Sequence, residues 1–213
     1  MKIFTTYIVF VVVLCFGGKS LAWDTYADFV CAATNALSDD SVLVSTGFEN
    51  ALTNFIAIST NSQSQIEARL VLGERTLAIY NETQNGIDLK KAFCMASNVC
   101  ALTRMKTNTW HCWQAQAFQF SCCVQNNDIE GAYNVASNAL AAIGTQDIRS
   151  DNVVFMALLK RNKVQDLSVR QTMVLAKALS AARLKRRTEA ETLALVLPTR
   201  YQNMVMRLAD NEN

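Results

Sequence analysis

Residues 62–77 read Ser62-Gln63-Ser64-Gln65-Ile66-Glu67-Ala68-Arg69-Leu70-Val71-Leu72-Gly73-Glu74-Arg75-Thr76-Leu77. Ser62 and Gln65 precede an apolar series at capping-box spacing, where each side chain serves the other's backbone N–H. Ile66, Leu70, Gly73 and Leu77 then recur at intervals of four and three, one face of a helix. The same signature recurs along the chain. Thr46 with Glu49 leads into Phe48, Leu52, Phe55 and Ile56, and Asn127 with Glu130 into Ile129, Tyr133, Ala136, Leu140 and Ile143. Thr188 with Glu191 leads into Leu193 and Leu197. Asp24 is expected to cap a helix with Ala27, Val30, Cys31 and Thr34 inward, and Asp151 one with Val154, Phe155 and Leu158 inward. Leu89, Phe93, Ala96 and Cys100 predict another helix, as do Trp110, Trp113, Ala117, Phe120 and Val124. Leu167, Val174, Ala178 and Ala181 place a long helix over 166–186, and Pro198 breaks the chain before Tyr201, Met204, Val205 and Leu208. The expected fold is all-α, a multi-helix bundle of about eight to ten helices with short connections.

Composition narrows the alternatives. The 213 residues are 51% hydrophobic and 18% charged, with seven Gly and one Pro, Pro198. That excludes disordered, collagen-like and proline-rich chains, and argues against an all-β chain with many tight turns. A single histidine, His111, leaves little room for a histidine-based metal site or relay. No Gly-rich phosphate loop and no Gly-x-Ser-x-Gly elbow is present. The chain is therefore read as no enzyme, and no residue is assigned to catalysis, a cofactor or a metal.

Residues 1–22 read as a secretory signal: Lys2, an apolar run from Tyr7 to Phe16, then Ser20-Leu21-Ala22 as a small-x-small cleavage site. The run is about half the length of a bilayer span, so no membrane span is expected. Processing removes Cys15, Lys2 and Lys19, leaving 18 basic groups against 18 acidic ones. Cys31, Cys94, Cys100, Cys112, Cys122 and Cys123 remain. An even number in an exported chain points to disulfides, and the bundle is expected to be stapled by them. Cys122 and Cys123 are helical neighbours about 100° apart, poorly placed to bond each other. Asn81-Glu82-Thr83 is a glycosylation acceptor, so Asn81 is expected at the surface of a secreted, extracellular glycoprotein.

Residues 23–125 hold all six remaining cysteines, and 126–213 none. The expected organisation is a cysteine-containing helical sub-bundle over 23–125 with a cysteine-free one over 126–213 packed on it. The terminal 210–213 should fray, so losing 199–213 should matter less than losing the mid-helix Cys94. Trp110-His111-Cys112-Trp113 reads as an aromatic anchor with His111 near the surface, because adjacent helical residues do not face each other. Lys160, Arg161, Lys163, Arg170, Lys177, Arg183, Lys185, Arg186 and Arg187 face one acid, Asp166, over 160–187. This basic stripe suits an anionic glycan or lipid surface, and nucleic acid is not expected of an exported chain. Arg183-Leu184-Lys185-Arg186 also fits a basic-site protease.

Phe93-Cys94-Met95-Ala96-Ser97-Asn98-Val99 resembles a segment of the insect silk fibroin light chain. The stretch Asn61–Leu77 and Ala22-Trp23-Asp24 resemble the same family. The similarity covers about a third of the chain, which is poorer in Gly, richer in Cys and more basic in its second half than that family. The resemblance implies a secreted structural subunit, disulfide-linked to or packed on a large fibrous partner, and needed for its secretion. No linking cysteine is carried over. The alternative expectation is a monomeric effector or small-ligand carrier of the venom, saliva or body-fluid type.

Overall fold

The computed structural model describes residues 23–104, 110–144 and 151–211; the expected signal lies outside them. Among the described residues there are eleven helices and no strand. They are α1 (Tyr26–Ser38), α2 (Asp40–Leu43), α3 (Thr46–Ile58), α4 (Ser62–Thr83), α5 (Gly86–Arg104), α6 (Trp110–Gln125), α7 (Ile129–Ile143), α8 (Val153–Arg161), α9 (Val169–Arg183), α10 (Arg187–Ala194) and α11 (Thr199–Asn211).

The helix starts follow side-chain capping, displaced by one residue from the expected positions. Thr25, Ser45, Asn61, Asp128 and Asn152 accept the orphan N–H groups, where Asp24, Thr46, Ser62, Asn127 and Asp151 were expected to. In each place two polar residues stand side by side: Thr46 and Ser62 lie already inside their helices, while Asp24, Asn127 and Asp151 lie one residue outside the cap. α9 starts in a true capping box, Ser168 with Gln171. At α10 the expected Thr188–Glu191 box is absent, and Glu191 instead accepts from Arg187 at 2.7 Å.

Successive helices pack as neighbours from α4 through α7; α9 packs on α7, α10 and α11, and α8 packs on α1. The largest core gathers Trp23, Phe29, Phe48 and Phe55, then runs through α4 and α6 to Phe155, Leu158 and Met173. It therefore joins side chains from both sides of residue 126. A second core, from Leu167 to Ala209, is made by α9, α10 and α11 with half-buried Tyr133 and Leu140 of α7. α1 buries Phe29, Ala33, Ala36 and Leu37 instead of the expected face, and Cys31 is exposed. The Phe29 ring stacks on Phe55 at 4.8 Å, and that aromatic contact fixes which side of α1 turns inward.

Among the described residues no disulfide is present, so the expected stapling is not seen: Cys31 and Cys94 are exposed, Cys112 is half-buried, and Cys100, Cys122 and Cys123 are buried, all as free thiols. Burial pushes the Cys122 thiol up to about 12 and that of Cys123 to about 11. Asp210 and Asn211 are helical where fraying was expected, and 212–213 lie outside the described residues. α11 runs to Asn211, buries Tyr201, Val205 and Ala209, and ties Asp210 to Arg187 at 2.9 Å.

Gly73 lets α4 and α6 approach closely. A Cβ at this position would stand 2.7 Å from Phe118 Cζ, inside contact distance. Gly73→Val is therefore expected to destabilise by about 1–3 kcal/mol through overpacking, read as a lower urea midpoint.

Candidate functional site

A cavity of about 470 Å³ opens among the described helices. Trp113, Ala117, Phe118 and Phe120 line it from α6, Phe155 and Leu159 from α8, and Val169, Met173, Leu175, Ala176 and Leu179 from α9. Tyr201 and Met204 of α11 complete the wall. The hydroxyls of Ser121 and Thr172 donate to Ala117 and Ser168 carbonyls of their own helices, so they add little free polarity. This mixture of apolar walls and few polar groups is typical of a small-molecule site, whose usual volume is about 300–1,000 Å³.

The remaining polar lining comes from Gln114, Glu74, Asn162, Lys163 and Arg200. The turn after α8 is a Schellman motif: Val164 N–H donates to Leu159 and Lys163 N–H to Lys160, both at 3.0 Å. Lys163 takes the left-handed position at φ 57°, usually given to Gly. Arg200 donates to the Lys163 carbonyl at 3.2 Å and to the Tyr201 hydroxyl at 2.6 Å. Tyr201 in turn donates to Asp166.

Glu74 is buried beside Asn162, with Arg161 Nε at 3.7 Å. Arg161 is held more closely by Asp40, at 2.7 Å. Burial raises the Glu74 carboxyl above its ordinary 4.5, and Arg161 and Asn162 only partly offset it. The folded state therefore binds this proton more tightly than the unfolded chain. Stability from this group is full below about pH 4.5 and declines as pH rises through the raised folded value. Glu74→Gln should gain stability over the wild type as pH rises from 4 to 8, measured by urea unfolding at both ends.

A second polar cluster lies in the main core. Glu67 is fully buried. Its Oε2 accepts from the Tyr26 hydroxyl at 2.6 Å, and its Oε1 from Asn152 and Gln63 amides at 3.2 Å each. His111 Nε2 stands 3.0 Å from Oε1. Burial first, then Glu67, pushes the Tyr26 hydroxyl to about 12. His111 is 3% exposed and stacked on Trp110 at 3.8 Å, which corrects the expectation that it lies near the surface. The cluster ties α1, α4, α6 and the start of α8 through one carboxylate. Sequence reading missed Glu67 and Glu74. The signal was that α4 carries apolar residues on all sides, so it must be buried all round and its charges with it.

Most of the basic residues of 160–187 have polar partners within the fold. Arg161 pairs with Asp40, Lys177 with Glu189, Arg186 with Glu130, and Arg187 with Glu191 and Asp210. Arg170 and Arg183 donate to Gly144 and Asn127 oxygens. Lys177 and Arg186 also lie over the Tyr133 ring. Lys160, Lys163 and Lys185 are exposed. Leu184–Arg186 make a hydrogen-bonded turn between α9 and α10, with Lys185 at φ 60°. Asn81 is exposed in the last turn of α4. Among the described residues no helix is long and apolar enough to cross a membrane, and no cluster of metal-ligating side chains occurs.

No protein-family model, curated protein or solved structure matches the chain.

Proposed function

We propose that the chain is an exported, non-enzymatic helical binding protein that carries a small apolar molecule in the cavity between α6, α8, α9 and α11. The supporting observation is the cavity itself: about 470 Å³ walled by aromatic and aliphatic side chains. The test is saturable binding of an uncharged fluorescent probe, N-phenyl-1-naphthylamine, to the full chain. One site of micromolar affinity, about −8 kcal/mol, is expected. Ala176→Phe, which fills the cavity from α9, should abolish it. Unsaturable binding, or binding unchanged in the filled variant, would reject the reading.

A second reading has its own support. Cys94 is exposed on α5, one turn from the exposed Lys90, Lys91 and Asn98. An exposed thiol suits a subunit joined by a disulfide to a large secreted structural partner. α5 and α6 pack together and carry five of the six cysteines, so intrachain bridges in the exported protein would fall between them. The mass of the native secreted protein before and after reduction separates these cases. A partner released on reduction favours the subunit, and a monomer in both lanes the carrier. An oligosaccharide on Asn81 belongs to both readings and adds mass that glycosidase removes.

A further inference from the structure

We propose that the cavity's ligand is an aliphatic monocarboxylic acid, its carboxylate held at the turn after α8 by Lys163 and its apolar body lying between α6 and α9. This deepens the carrier reading and rests on it. Asn162 bonds the buried Glu74 carboxyl and is followed by Lys163 in the turn after α8, and all three line the cavity. Phe120, Leu175 and Leu179 line the wall without a polar group.

Charge decides the head group. The lining cations are Lys163 and Arg200. Arg200 is engaged, stacked over the Tyr201 ring at 4.5 Å and 3.7 Å from Asp166. Lys163 has no ion-pair partner among the described residues. Glu74 is the one acid in the lining, and burial raises its carboxyl above its ordinary value. In its protonated form it can donate an O–H to a carboxylate. A ligand amine would meet the Lys163 ammonium and the Arg200 guanidinium, and an alcohol would leave the ammonium unanswered.

The experiment titrates the full chain calorimetrically with dodecanoate, dodecan-1-ol and dodecylamine below their micellar concentrations. Dodecanoate should bind once per chain, at least about tenfold tighter than the other two, the gain of one charge-assisted contact. Lys163→Asn removes the charge and keeps a residue that tolerates the left-handed position. It should weaken dodecanoate about tenfold and leave dodecanol unchanged. Ala176→Phe should abolish binding of the acid. Equal affinity for acid and alcohol, or an unchanged Lys163→Asn, overturns the head-group assignment and leaves the carrier reading standing. Acid binding that survives Ala176→Phe lies elsewhere and overturns the proposal. Failure of all three compounds to bind overturns the carrier reading as well.

Discussion

Glu67→Ala should lose about 3–5 kcal/mol of stability, the usual result of removing one partner from a buried charged cluster. The carboxyl is 0% exposed and holds Tyr26, Gln63, His111 and Asn152 at 2.6–3.2 Å. Alanine leaves the buried imidazole without its carboxyl partner, and each unmet buried group adds its own desolvation cost. The measurement is the urea midpoint, with an unchanged slope to show that the unfolded state is not what moved. His111→Leu added to Glu67→Leu should recover most of the loss, because an apolar pair of similar volume needs no partners. A loss under about 1 kcal/mol in the single variant would mean that the side chains relax to solvent past Tyr26, which is 41% exposed.

Ending the chain at Pro198 is the second large effect. It removes α11, and with it the buried Tyr201, Val205 and Ala209 that complete the second core. Burial of the first two side chains alone is worth about 3–6 kcal/mol. The same cut strips Asp210 from Arg187 and removes Tyr201 and Met204 from the cavity wall. The truncated chain should melt far below the full one, fail to bind the naphthylamine probe, and be recovered in low yield. Cys94→Ser should be close to neutral, within about 0.5 kcal/mol, since an exposed side chain contributes little to folding. This order reverses the one expected from chain position. If the truncation and Cys94→Ser melt together, the packing assigned to α11 is wrong.

These cases show which features periodicity can and cannot reach. The inward residues of α3 are readable because Phe48, Leu52 and Phe55 lie on one stripe with Glu49, Asn50, Thr53 and Asn54 between them. α1 is different. Ala27-Val30-Cys31-Thr34 and Phe29-Ala33-Ala36-Leu37 are both plausible faces of small and apolar residues, and only the position of the Phe55 ring selects the second. α4 has apolar residues all round, so no polar face marks which side meets which neighbour. Its charges look like solvated groups until their partners arrive from α1, α6 and α8, far away in sequence.

The sequence by itself determined that this chain folds into helices, roughly where they begin and end, and that each has a side to bury. Capping side chains and a period near 3.6 are local properties, carried by residues within one or two turns of each other. The tertiary structure alone decided that His111 meets Glu67, that α11 belongs to the second core, and which cysteines are buried and which exposed. It also decided that walls from α6, α8, α9 and α11 leave a cavity with Glu74 and Lys163 in its lining. Each of these depends on which faces of distant helices come together, and the energy of such a contact exists only once both faces are in place.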